Sequence, residues 1–253
     1  MMVFLCQDSP DGILTGVYDA WASRLGHGNV RLETDQRIHY ELFTEYSSVV
    51  PDMLKAKKVA ETIQRRLGEE TWKMIYQAAL SDREEKADAI YRTIVFGLSC
   101  GGFGGRLMEN LKEPILFQVF QCSRSVEREA HRYLGFLRFR EMEGGFLYGE
   151  IEPNCQVLPL IGDHFANRFP GENFLIRDKK REQFLIHRKN QPWMMAEGEE
   201  FHDEFLKESE KEAKYEELWQ RFVTVIAIRE RENPGLQNRL LPLKFRKYMT
   251  EKF

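Results

Sequence analysis

Between residues 114 and 151 the hydrophobic period changes, and that change restricts the architectures open to the chain. From Pro114 to Tyr133 apolar groups recur every three or four residues, at Ile115, Leu116, Val119, Phe120, Val126 and Ala130, which is the spacing of one buried helix face. Across LGFLRFRE and GFLYGEIE the period is two, and Glu143–Gly144–Gly145 between them carries a hairpin turn signal. A helix running straight into a hairpin requires a layered arrangement, because each strand face must be covered and each helix stripe must have a sheet to lie on.

The flanking segments extend this reading. VLPLIGDHFANRFPG predicts a short helix over 157–169, and NFLIRD with QFLIHR predicts a second hairpin around Lys179–Lys180. Hairpin, helix, hairpin suggests an antiparallel sheet of about four strands with helices on one face. Upstream, VFLC predicts a strand at 3–6. Asp8 or Ser9 offers an N-cap with Pro10 in the first turn, so a helix is expected over 10–25. NVRLET (29–34) is a further short strand. From Pro51 to Leu98 the period is helical throughout, with Gly68 as a C-cap and Ser81–Asp82 as an N-cap between three amphipathic helices. The expected class is α+β: a central, mainly antiparallel sheet of about four or more strands with helices packed on it, and a three-helix unit at 51–98. The chain reads as one composite domain over 1–253, made of 1–50, 51–113, 114–190 and 191–253.

Composition removes several function classes. No apolar run approaches the eighteen or so residues of a membrane span. The opening MMVFLCQDSPDGIL lacks a basic segment before a long apolar one, so a secretory leader is not expected and the cytoplasm is the expected location. Four cysteines stand at 6, 100, 122 and 155 with no CxxC pair, which argues against a zinc ribbon, a redox dithiol or an iron–sulfur cluster. The formal net charge of −3 is unevenly spread: Met195–Glu217 carries −7 and Leu218–Phe253 carries +5. A near-neutral total is therefore compatible with a local basic surface. The acidic stretch 197–217 reads as a solvated helix that continues into LWQRFVTVI, where Leu218, Trp219, Phe222 and Ile226 are expected to dock on the core.

Chemistry-bearing residues are sparse. CGGFGGR (100–106) matches neither GxGxxG nor GxxxxGK, and a joint between helices accounts for it. There is no HxH, HExxH, GxSxG or SxxK, so no metal and no cofactor is expected, and nucleophilic catalysis has no support. His131 in EREAHR and His164 in GDHFANRF are candidates for an acid/base pair if their helices pack on one sheet. Satisfaction by neighbouring carboxylates, such as Glu127 one turn before His131, is the structural alternative. Arg124, Arg128 and Arg132 lie four residues apart on one helix face, and Arg138, Arg140 and Arg168 follow on the next strand and helix. Guanidinium groups grip phosphate bidentately, and Tyr133, Phe136 and Phe139 stand ready to stack on bases. The alternative is ion pairing to Glu127, Glu129, Glu141 and Asp163 with the aromatics in the core.

EREAHRYLGFLRF, LPLIGDHFANRFP and FLIRDKKR, with the closing block LWQRFVTVIAIRERENPGLQNRLLPLKFRKYM, resemble a bacterial family of probable DNA metabolism proteins. The opening VFLCQDSPDGILTGVYDAW also resembles the family's start, although the family has Tyr-Asp-Gly-Ser-Phe where this chain has CQDSPDG. The acidic stretch has no counterpart. By position the matching residues are Glu129, His131, Arg132, Gly135, Phe136, Arg138 and Phe139. A second group is Pro159, His164, Phe165, Arg168, Phe169 and Pro170, with Asp178 and Arg181 after them. The resemblance carries no catalytic assignments. It implies a place in DNA repair beside a radical SAM protein, and in some relatives fusion to a uracil-DNA glycosylase. This chain has no closely spaced cysteine triplet for a radical SAM cluster, so that chemistry would belong to the partner.

The expected function is therefore an accessory protein that binds nucleic acid through Arg124, Arg128, Arg132, Arg138 and Arg168 and works with a radical SAM partner. One alternative is an enzyme acting on damaged nucleotides with His131 and His164 as acid and base. Another is a protein-binding adaptor that uses the acidic helix or the apolar Leu218–Ile226 face.

Overall fold

A computed structural model describes residues 1–35, 40–101, 107, 110–198, 206–226 and 233–249. The CGGFGGR motif falls almost wholly outside the described residues, as do 199–205 of the acidic stretch. The chain divides into two compact units, one formed by Met1–Arg128 with Asn154–Gln156 and the other by Glu129–Pro153 with Val157–Phe253.

In the first unit, strand β1 (Met2–Cys6) is the centre of a three-stranded sheet, flanked in parallel by β2 (Val30–Thr34) and β3 (Glu45–Val49). Its residues Val3–Cys6 are all buried, as expected of a central parallel strand covered by helices. Ser9 caps helix α1 (Pro10–Ala22), its side chain accepting from Gly12 N at 3.0 Å, with Pro10 in the first turn where no amide is needed. A Cβ at residue 16 would lie 2.2 Å from Cys6 Sγ, so only glycine allows α1 to approach β1 this closely. β3, EYSSV, was not foreseen. It is an edge strand whose burial reaches the core only at Val49, and an edge strand needs no apolar alternation.

The three expected helices are present: α2 (Met53–Leu67), α3 (Glu69–Ala79) and α4 (Lys86–Ser99). Gly68, at φ 93°, ends α2 and leads into α3. Ser81–Asp82 do not cap α4, which begins four residues later with Glu85 before it. That gap brings Lys86 inward. Its side chain is 1% exposed, and its ammonium sits 2.5 Å from Asp8 and donates to the carbonyl of Ser81.

Helix α5 (Pro114–Phe136) follows, as its period indicated. The second unit holds a five-stranded sheet in chain order, β4 (Arg140–Met142), β5 (Phe146–Ile151), β6 (Phe174–Asp178), β7 (Gln183–His187) and β8 (Met194–Glu197). Both expected hairpins form, but β5 and β6 pair in parallel. The sheet is thus mixed, and the described residues form two sheets where one central, mainly antiparallel sheet was expected. Helix α6 (Leu158–Arg168) between β5 and β6 explains the difference, since a helical crossover returns the chain to the same end of the sheet. Trp193 lies over α6 where residue 162 is glycine; a Cβ there would stand 2.6 Å from the indole.

The acidic stretch is also corrected. Glu197 closes β8, and helix α7 runs from Glu210 to Ile226. Its apolar side is not docked: Leu218, Trp219 and Phe222 are 61, 43 and 52% exposed. Helices α8 (Pro234–Leu240) and α9 (Leu243–Arg246) complete the described chain.

Candidate functional site

Helix α5 sorts its residues by face. Leu116, Val119, Cys122, Val126, Ala130 and Tyr133 are buried, whereas Arg124, Arg128, His131 and Arg132 are exposed. The spacing of three and four that gives one apolar stripe places the charged groups on the opposite side. Arg124 is drawn off by Glu127, one turn along, at 2.6 Å. Both side chains are about half exposed, so the pair adds little stability but does cancel one cation. Arg128 has no acidic partner among the described residues, and neither has Arg132.

The end of α5 is built on aromatics. Phe245 of α9 is 3% exposed and lies 4.9 Å from the Tyr133 ring and 5.5 Å from Phe136. The guanidinium of Arg132 lies 5.8 Å from the same ring, and Lys244 5.1 Å from it. Lys244 also bonds the buried carboxylate of Glu129, so the C-terminal segment helps to answer the charge of that acid. A second anchor joins Glu152 to Lys247 at 2.6 Å and to the Tyr248 hydroxyl at 2.9 Å. These donors hold the Glu152 carboxyl below its usual range, and the carboxylate raises Lys247. Burial pushes the Tyr133 phenol up, with the Glu129 charge adding to it.

The remaining arginines divide. Arg138 donates from Nη1 to the carbonyls of Gly135 at 2.9 Å and Leu137 at 3.3 Å, capping the C-terminal end of α5. Arg140 pairs with Glu208 at 2.9 Å. Arg168, at the end of α6, is exposed with its guanidinium 5.5 Å from the Phe169 ring and no acidic partner among the described residues. Phe139 lies 5.3 Å from Phe165, 5.6 Å from Phe169 and 5.6 Å from Phe174. The aromatics expected to stack on bases are therefore committed to packing, with Tyr133 buried and Phe136 and Phe139 half-buried.

His131 on α5 and His164 on α6 are both exposed, and neither has a hydrogen-bond partner among the described residues. Glu127, expected to satisfy His131, is engaged by Arg124 instead. Among the described residues no group of three His, Cys, Asp or Glu side chains is placed to hold a metal ion, and no helix is long and apolar enough to cross a membrane.

The sheet contains a polar network that sequence reasoning passed over. Arg177, 6% exposed, donates from Nε and Nη2 to Glu182 at 3.0 and 2.7 Å. Asp178, 1% exposed, accepts from Lys180 N at 3.0 Å and from Arg181 at 3.0 Å. Burial raises the Asp178 pKa, and the Arg181 charge pulls it the other way. Within FLIRDKKR the period of two does place Arg177 and Asp178 on opposite faces. Nothing in the string says that both faces are covered.

A search of curated proteins finds no match to this chain. The family model for a domain of unknown function, DUF4130, matches residues 84–251, a span that holds α5, the whole five-stranded sheet, α6 and the C-terminal helices. The chain belongs to the DUF4130 family.

Proposed function

We propose that this protein is an accessory DNA-binding protein that contacts the phosphate backbone through Arg128, Arg132 and Arg168. One observation carries the reading: these three guanidinium groups are exposed and free of acidic partners among the described residues, and two of them lie against aromatic rings. An arginine near an aromatic face gains a cation–π contact and keeps donors that suit phosphate. Contacts of this kind position a polyanion without reading bases. Arg124 adds to the same helix face once Glu127 is displaced, while Arg138 and Arg140 serve the fold. The resemblance to probable DNA metabolism proteins supplies the nucleic acid, and a radical SAM protein is the partner it implies.

The test is fluorescence anisotropy with a labelled duplex and the matching single strand, repeated from about 50 to 200 mM salt. The native protein binds and weakens steeply with salt. The Arg128→Glu, Arg132→Glu, Arg168→Glu variant loses affinity equally for unrelated sequences while its circular dichroism is unchanged. Equal affinity of variant and native protein removes the proposal.

A second role is favoured by α7, where Tyr215, Leu218, Phe222 and Val225 recur at helical spacing and are 62, 61, 52 and 75% exposed. An apolar stripe of this size marks an interaction surface, and it is the element we assign to the protein partner. Leu218→Asp with Phe222→Asp abolishes co-elution with the radical SAM protein and leaves DNA affinity intact. Retained co-elution excludes the assignment.

A further inference from the structure

A cavity of about 620 Å³ lies within the first unit, bounded by α1, α2 and α4. That is the size of a small-molecule site. Ile63, Ile94 and Leu98 make apolar walls, and Tyr18 and Trp21, one turn apart on α1, present aromatic rings. Trp21 is 42% exposed, and its ring lies against His27 with centroids 4.5 Å apart.

Two exposed cations line the cavity with no acidic partner among the described residues. Lys58 of α2 lies 5.8 Å from the Tyr18 ring. Its neighbour Lys55 is taken by Asp19 at 2.8 Å, whereas Lys58 has no acidic partner among the described residues. Arg24 has none either, and it occupies the left-handed region at φ 57° just beyond α1. That position favours glycine, so an arginine stands there against the preference of the backbone. Strain of this kind gathers at functional positions. An uncharged apolar ligand would leave both cations unused, and a small inorganic anion would leave the walls wet.

We propose that this cavity binds a planar aromatic anion, with the ring system between Tyr18, Trp21 and the aliphatic walls and the acidic group held by Arg24 and Lys58. The site goes beyond the DNA-binding reading, since neither cation belongs to the α5 and α6 arginines. Either proposal can fail alone. A mononucleotide and an aromatic carboxylic acid share the required chemistry.

Titration of the full chain with 1-naphthyl phosphate, followed by tryptophan fluorescence and calorimetry, tests it. Saturable one-to-one binding is expected, with neutral 1-naphthol about tenfold weaker or worse, as the loss of charge-assisted contacts implies. Decanoate, an anion without a ring, is also weaker. Thymidine 5′-monophosphate and indole-3-acetate, run in parallel, tell a nucleotide source from an aryl acid by which binds more tightly. Lys58→Gln weakens the phosphate and leaves naphthol unchanged. Arg24→Gly weakens the phosphate while the melting temperature holds or rises, an outcome that a merely structural arginine would not give. Thr62→Trp, which fills the cavity from a half-buried position, abolishes binding in a folded protein. The proposal is overturned by any of three results: no saturable binding to folded protein, naphthol or decanoate binding as tightly as naphthyl phosphate, or undiminished binding by Thr62→Trp.

Discussion

Two arginines of the five-stranded sheet and its turn, and three of the four on helices α5 and α6, have opposite fates. On the sheet and its turn, Arg177 is forked onto Glu182 and Arg181 is bonded to the buried Asp178. On the helices, Arg128, Arg132 and Arg168 face solvent without an acidic partner among the described residues. The residue type is the same, yet one group is spent on the fold and the other has no acidic partner among the described residues. A count of arginines near aromatics does not separate the two; burial and partner geometry do.

The largest effect should come from breaking the sheet group. Asp178→Ala leaves Arg181 facing a buried, empty partner site, and removing one member of such a pair costs about 3 kcal/mol. Urea denaturation would show this as a lower midpoint at unchanged slope, with DNA affinity per folded molecule unaltered. A variant as stable as the native chain would mean that the sheet arginines are no more committed than the helical ones.

The next effect concerns binding alone. Arg128→Glu with Arg132→Glu should lower DNA affinity by at least about tenfold, or 1.4 kcal/mol, with the thermal midpoint within a degree or two of native. Loss of stability in place of affinity would reverse the contrast between the two groups.

A smaller effect is a pH slope. Burial raises the Asp178 pKa, so the native state holds that proton more tightly than the unfolded chain does. Its contribution to stability therefore declines as pH climbs from the ordinary carboxylate range through the raised value. Asp178→Asn, which cannot titrate, should flatten the stability profile across that interval. An unchanged profile would assign the slope to other groups.

The smallest effect is expected at Arg140, whose pair with Glu208 is 39 and 38% exposed. Arg140→Ala should change stability by no more than about 0.5 kcal/mol and DNA affinity hardly at all, as read from the same denaturation and anisotropy curves. A loss of affinity matching that of Arg132 would enlarge the binding group.

What the sequence revealed followed the strength of its periods. Three helices over 53–99, α5, α6 and both hairpins were legible because each buries one face at a regular spacing. The parallel pairing of β5 with β6 was not, because strand direction depends on where α6 returns the chain and leaves no mark on either strand. β3 escaped because an edge strand such as EYSSV needs no alternation. The acidic stretch was read as helix too early, since Met194–Glu197 is a short edge strand with three of its four residues exposed. At the candidate site, the shared face of Arg124, Arg128 and Arg132 was legible from their spacing of four. The pairing of Arg124 with Glu127, the capping role of Arg138 and the shielding of Glu129 by Lys244 depend on rotamers and on a residue 115 positions away. The histidines were singled out for their polar company, and that company is engaged elsewhere: Glu127 on Arg124 and Asp163 on Trp193.

The central claim is that the acid-free arginines of α5 and α6 carry the binding of a polyanion. The slope of log affinity against log salt, measured for native protein and for the Arg128, Arg132, Arg168→Glu variant on one DNA duplex, tests it directly. Each phosphate contact contributes about 0.9 to that slope, so the variant should lose roughly 2 to 3 from it together with most of its affinity. Equal slopes and equal affinities for the two proteins would contradict the account.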